Sequence, residues 1–212
     1  MRKFATIAVA LALGTASSVA FADGGNFFVN ANAGASHYNV ENPYAGDPAN
    51  SFSKTGKAGA LRVGYRWNSV VDYGVEVGYG FLGNATARDT YAFAGNTERQ
   101  FYGTERLQQQ TRGWLLGGNL NYNINEHWYV DARAGWFRAR SLYEYRFYSE
   151  LGNESYRNPV TRTGEYFGIG GGYNFNKNFS LGLAYDTYRV PENEFNKNTR
   201  IGMYSLQAEY RF

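Results

Sequence analysis

The chain has 212 residues, 43% of them hydrophobic, a mean hydropathy of −0.52 and a formal charge of +3 from 21 bases and 18 acids. Aromatic residues make up 18%, with 26 glycines and only 4 prolines, a mixture that suits an all-β chain with two alternating surfaces. There is no cysteine, which excludes disulfides, thiolate metal sites and a cysteine nucleophile.

Residues 1–22, MRKFATIAVALALGTASSVAFA, start with two bases, continue through an apolar stretch from Phe4 to Leu13 and end in Ala20-Phe21-Ala22. This pattern predicts a cleaved secretory signal peptide. Its apolar core is about ten residues, short of the roughly 20 that a helical span needs. Removing the segment takes Arg2 and Lys3 away and leaves 19 bases against 18 acids, so no nucleic-acid partner is expected. Residues 23–212 are then a single exported domain.

From residue 25 onward the hydrophobic period is two, not 3.6. Eight strands are predicted, at about 26–37, 58–67, 73–82, 112–122, 128–142, 160–175, 179–189 and 200–212. Their connections alternate between short, Asn-rich turns (68–72, 123–127, 176–178) and long ones (38–57, 83–111, 143–159, 190–199). An even strand number with tight turns at one end and long loops at the other is the layout of an outer-membrane barrel.

The two faces of these strands support the same reading. One parity carries Val29, Ala31, Leu61, Val63, Val75, Val77, Leu116, Leu120, Val130, Ile169, Leu181, Leu183 and Leu206, with no charge anywhere in the set. Aromatic residues gather at its ends: Phe27, Trp67, Tyr122, Trp128, Phe175, Phe179 and Phe212 toward the short turns, and Phe81, Trp114, Trp136, Phe167 and Tyr185 toward the loops. These predict two interfacial girdles. The opposite parity holds Asn30, Asn32, Arg62, Arg66, Glu76, Asn119, Asp131, Arg133, Gln207, Glu209 and runs of glycine, which suit a narrow lumen where space is scarce.

Segments 58–85, 167–188 and 202–212 resemble the transmembrane barrel of the outer membrane protein A family, and the likeness spans the mature chain. It implies an all-β, eight-stranded antiparallel up-and-down transmembrane β-barrel in the outer membrane of a Gram-negative bacterium. The terminal Tyr210-Arg211-Phe212 resembles the aromatic signal read by the barrel assembly machinery. Larger members continue into a peptidoglycan-binding domain, an activity not expected here because the chain stops at Phe212.

The family's lumen carries a charged network. Its acid on the third strand and its arginine on the fifth are present as Glu76 and Arg133, whereas Asn32, Asn119, Gly172 and Gly182 stand where the family has charges. Arg62 and Asp131 are charges that the pattern lacks. Arg62 lies directly opposite Glu76 if the first short turn centres on Ser69, and diagonally if it centres on Val70. Inward bases (Arg62, Arg66, Arg133, Arg211) and inward acids (Glu76, Asp131, Asp186, Glu209) are equal in number, which argues for pairing and a plugged lumen. The expected ionic network is Arg62, Glu76, Asp131 and Arg133.

Catalytic, cofactor and metal sites are not expected. Only His37 and His127 are present; His37 follows Ser36, and neighbouring strand residues point to opposite faces. The glycines around 168–172 have no following helix to offer a phosphate. Partner specificity falls to the loops. Residues 138–162 hold five arginines and three glutamates among tyrosines, and Arg146, Tyr148 and Arg157 are the recognition candidates. The expected role is a non-enzymatic, monomeric barrel acting in envelope integrity or surface adhesion through a host or surface ligand. Its other partners are outer-membrane lipids, lipopolysaccharide and the assembly machinery. A narrow porin is the alternative and a lipid-modifying enzyme the third.

Overall fold

The computed structural model describes residues 24–44, 50–94, 100–150, 152–191 and 198–212; the predicted signal peptide lies outside the described residues. Every regular element among them is a strand: β1 (Gly25–Asn39), β2 (Ser51–Ser53), β3 (Thr55–Trp67), β4 (Asp72–Ala94), β5 (Gln100–Asn123), β6 (Trp128–Ser149), β7 (Gly152–Asn174), β8 (Phe179–Pro191) and β9 (Asn198–Arg211). Each long strand pairs antiparallel with the next, and β1 pairs with β9, so β1 and β3–β9 close into an eight-stranded ring. Closure removes the sheet edges that would expose backbone polar groups to lipid. The ninth strand, β2, lies inside the first long connection and pairs on β4 at 86–88.

The short turns are set by side chains that mimic the backbone. Asn125 Oδ1 accepts from the amides of His127 (2.9 Å) and Trp128 (2.8 Å), and Asn176 Oδ1 does the same for Asn178 (2.8 Å) and Phe179 (2.8 Å). Asp72 Oδ1 caps Ser69 at 2.9 Å. The apolar parity faces outward: Leu206 is 68% exposed, Leu183 67% and Val75 53%, values that only a lipid-facing surface makes reasonable. At its turn end the girdle is a chain of ring contacts, Phe27–Tyr65 (4.9 Å), Tyr65–Trp67 (5.2 Å) and Trp67–Tyr73 (5.5 Å).

Two of the expected long loops are largely strand. β4 to β7 have 22 to 24 residues each, against 13 to 15 for β1, β3, β8 and β9. A crossing takes about 9–11 residues, so roughly half of each long strand stands beyond the membrane. The β4–β5 and β6–β7 hairpins also pair with each other, Gly103 opposite Ser149, and form a four-stranded wall on one side of the mouth. A bulge between Phe81 and Asn84 marks where β4 enters the wall; Gly83 there has φ +72°, and a Cβ would meet the Lys57 carbonyl at 2.5 Å. Tyr38 donates to the Gly83 carbonyl at 3.0 Å and Ser36 to that of Leu82.

Candidate functional site: a packed lumen and an extracellular wall

At the turn end the lumen opens as a vestibule of about 770 Å³, lined among others by Phe28, Arg66, Asn123, Asn174 and Arg211. Its floor is ionic. Arg66 donates to both oxygens of Glu209 (2.9 and 3.2 Å), and its guanidinium lies 4.5 Å from the Phe28 ring centroid. Arg211 Nε is 3.8 Å from Glu209, and its Nη2 donates to Asn174 at 2.6 Å. Arg66 Nε also donates to Asn119 Oδ1 (2.8 Å), and Asn119 in turn donates to Glu76 Oε2 (3.3 Å). An amide at 119, where the family has a base, therefore links two charged clusters.

The second cluster fills mid-lumen. Arg62 Nε lies 3.4 Å from Glu76 Oε1, and Tyr166 donates to the same oxygen at 2.7 Å. Arg62 further donates to Asn32 (2.6 Å) and Tyr188 (3.2 Å) and stands 3.6 Å from Asp186. Arg133 binds both Asp186 oxygens, at 2.7 and 3.0 Å, and donates to Gln207 (3.1 Å) and Asp131 (3.4 Å). Gln207 closes the circuit by donating to Asp131 at 2.7 Å. The four residues predicted for the network are thus in one cluster, with the first turn centred on Val70: Arg62 is opposite Gly78, Gly64 is opposite Glu76, and the ionic contact is diagonal.

Asp186 is the hub that sequence reasoning left out of those four. It is fully buried between two arginines. The available signal was its parity, which matches that of the other inward charges. Glycine makes room for the large groups: a Cβ at Gly117 would meet the Tyr166 hydroxyl at 2.4 Å, one at Gly182 would meet that of Tyr129 at 2.8 Å, and one at Gly168 would meet Asp186 at 2.1 Å. Gly182 therefore gives up the family's charge and receives a tyrosine from β6.

Above the charges the lumen is apolar. Tyr38, Leu82, Leu115, Phe137, Tyr188, Ile201 and Met203 are all 0% exposed and pack as one cluster. Ser36 points into this lumen at 1% exposure, whereas His37 is exposed on the outer face. His127 lies at the vestibule mouth, 5.3 Å from the Tyr173 ring. Among the described residues no group of three or more His, Asp or Glu is arranged to hold a metal.

On the wall, Arg146, Tyr148 and Arg157 share the outward face, but the two arginines converge on one acid. Glu144 Oε1 accepts from Arg146 Nη2 (2.7 Å) and Arg157 Nε (2.8 Å). The hydrogen bonds from Arg146, then those from Arg157, hold the Glu144 carboxyl below the usual carboxylate range, and the same contact raises the Arg146 guanidinium. Tyr148 is 45% exposed. On the opposite face Glu105 accepts from Tyr44 (2.9 Å) and Tyr145 (2.7 Å), which ties the first extracellular connection to the wall. Burial, and then Glu105, push the Tyr44 hydroxyl up. A hollow of about 350 Å³ lies beside them, lined by Phe52, Leu107, Tyr143 and Tyr156 among others.

The last strand ends on the lipid face. Tyr210 pairs with Phe179 and Val29, Phe212 donates its amide to the Phe27 carbonyl at 2.9 Å, and the Tyr210 and Phe212 rings are 5.0 Å apart.

Several solved structures are similar to this chain. The attachment invasion locus protein Ail of Yersinia pestis, in complex with the heparin analogue sucrose octasulfate, is 17% identical over 90% of this chain and 100% of its own, with a TM-score of 0.47. Neisserial surface protein A is 16% identical over 90% and 100%, with a TM-score of 0.42. The N-terminal barrel of Pseudomonas aeruginosa OprF is 14% identical over 90% and 100%, at 0.44. No curated protein sequence matches the chain. The family described as the outer membrane protein beta-barrel domain matches residues 6–212. With a closed eight-stranded ring, a lipid-facing apolar surface and that match, the chain belongs to the outer membrane protein beta-barrel family and resides in the outer membrane of a Gram-negative bacterium.

Proposed function

We propose that this protein is a non-enzymatic surface barrel whose extracellular wall mediates adhesion and whose sealed shell supports envelope integrity. The observation that carries the reading is the wall itself. Above Glu165, β7 is laddered to β6 alone, and among the described residues no strand pairs with its other edge. Such an edge offers unpaired backbone donors and acceptors to an extended segment of a partner. Pro159 on this edge fits the same picture, since a strand without a second neighbour tolerates the missing amide. The assembly machinery, reading Tyr210 and Phe212, and the surrounding lipids with lipopolysaccharide complete the expected partners of a monomeric barrel.

The test is attachment of cells displaying the protein to host cells or matrix. Replacing Arg146, Tyr148 and Arg157 together by Ala should abolish attachment while heat-modifiable migration on gels persists; unchanged attachment would remove these residues from the function. A narrow porin is the second reading, favoured by the vestibule that reaches Arg66. The plug opposes it, because Tyr38, Leu82, Leu115, Phe137, Tyr188, Ile201 and Met203 pack at 0% exposure across the lumen and leave water no accessible surface among them. Planar-bilayer recordings decide: sustained conductance establishes the porin. A lipid-modifying enzyme is the third reading, disfavoured by Ser36 and His37 on opposite faces and tested by lipid A mass spectrometry of a deletion strain.

A further inference from the structure

The two faces of the wall differ in charge. The outward face, continuous with the lipid-facing residues, carries Arg88, Arg106, Arg112, Arg138, Arg140, Arg146 and Arg157 against two acids, Glu144 and, at its membrane end opposite Trp136, Glu165. The inward face carries Asp89, Glu105 and Glu154 against one base, Arg162. Both faces lie beyond the membrane, so contact with water alone does not sort residues by sign. Their surroundings do: the outward face looks onto neighbouring lipid headgroups, the inward face onto the barrel mouth.

The arginines nearest the membrane are the most informative. Arg112 and Arg140 stand directly opposite each other on β5 and β6, and Arg138 stands opposite Trp114. Like charges in that register repel. All three side chains are exposed, and none has an ion pair or hydrogen bond among the described residues. Trp114 and Trp136, 61% and 64% exposed, belong to the girdle that marks headgroup level. Arg112 precedes Trp114 and Arg138 follows Trp136 by two residues, about 7 Å along a strand and in both cases on the side away from the membrane core. They stand on the headgroup side of the girdle.

We propose that Arg112, Arg138 and Arg140 bind the phosphate groups of the outer leaflet's phosphorylated glycolipid, on the tall side of the barrel. The inference rests on outer-membrane residence and not on the adhesion reading, whose residues Arg146, Tyr148 and Arg157 are separate. Guanidinium groups bind phosphate oxygens bidentately, and a bound phosphate turns the Arg112–Arg140 repulsion into a bridged contact. Trp114 and Trp136 lie below it, level with the sugar and the first acyl carbons.

The test is thermal unfolding of the refolded barrel in zwitterionic micelles, titrated with bisphosphorylated lipid A and, in parallel, with dephosphorylated lipid A. The phosphorylated lipid should raise the midpoint and the dephosphorylated one should not. In the Arg112→Gln, Arg138→Gln, Arg140→Gln variant the lipid-free midpoint should hold or rise, because the repulsion is gone, while the lipid-dependent rise falls by at least half. The corresponding triple Lys variant should keep most of the rise. Equal responses to the two lipids, or an undiminished rise in the Gln variant, would overturn the proposal. So would a Gln variant that unfolds earlier without lipid, which would make the arginines structural, or a larger response to heparin, which would assign the face to an external sulfated polyanion.

Discussion

β4 to β7 run through two environments, and the same four strands obey different rules in each. Within the membrane their alternate residues are sorted by polarity, Leu116 and Val77 to lipid, Asn119 and Glu76 to the lumen. In the wall both faces meet water, and alternate residues are sorted by sign of charge instead, Arg106 and Arg146 outward, Glu105 inward. The membrane half is closed, with every strand paired on both sides; the wall has an open edge at β7. Closure concentrates the energetic cost of change in the lower half and leaves the upper half free to vary.

The largest expected effect therefore lies in the lumen. Asp186→Asn leaves Arg62 and Arg133 short of their shared acid, and breaking a buried pair typically costs about 3–5 kcal/mol. A denaturant titration in micelles should show that loss, with Glu76→Gln close behind because Arg62 retains Asp186. If neither variant shifts the midpoint nor raises single-channel conductance, the network does not hold the lumen shut.

Deleting Phe212 tests the lower half by another route. The deletion removes one backbone hydrogen bond and one ring contact, to Phe27 and Tyr210, yet it should reduce outer-membrane levels several-fold while leaving export to the periplasm intact. Normal levels of folded protein in the outer membrane would show that the terminal aromatic residue is not read during assembly.

The same division decides what the sequence reveals. Where lipid and lumen demand opposite polarity, period-two alternation is unambiguous, and the ring, its lipid face and the eight inward charges were legible from it. In 83–111 and 143–159 no such contrast exists, so strands read as loops; runs such as Gln108-Gln109-Gln110 carry no face. The apolar plug escaped notice for a different reason. Leu115, Phe137, Tyr166 and Tyr188 have inward parity, but the polar residues and glycines of that parity outweighed them. Which amide would bridge two charges, as Asn119 and Gln207 do, depends on side-chain reach across the barrel, and strand pattern carries no information about reach.

Shortening the wall should show how independent its upper half is. Replacing residues 146–155 by a two-residue Asn-Gly turn between Tyr145 and Tyr156, which are already paired across the hairpin, leaves the Tyr145–Glu105 hydrogen bond in place. The unfolding midpoint should move by no more than about 0.5 kcal/mol, as for surface changes away from core contacts, and heat-modifiable migration should persist. A loss of several kcal/mol would mean that wall and ring fold as one unit.

The smallest effect is electrostatic and confined to the wall. Glu144 has its carboxyl lowered by hydrogen bonds from Arg146 and Arg157. A depressed acid contributes stability above its unfolded-state value and loses it as pH falls through the lower folded value, so the clamp should be intact at neutral pH and weaken only below the usual carboxylate range. Arg157 is 63% exposed, so solvent screening keeps the contribution small and salt should reduce it further. A carbon-detected titration of the Glu144 carboxyl should place its midpoint below that of an ordinary glutamate, and Arg146→Gln with Arg157→Gln should return it. An unshifted midpoint in the wild type would mean that the two arginines are not held by Glu144 in solution. They would then be free for an external anion, which would make the outward face of the wall more strongly basic than its present pairing allows.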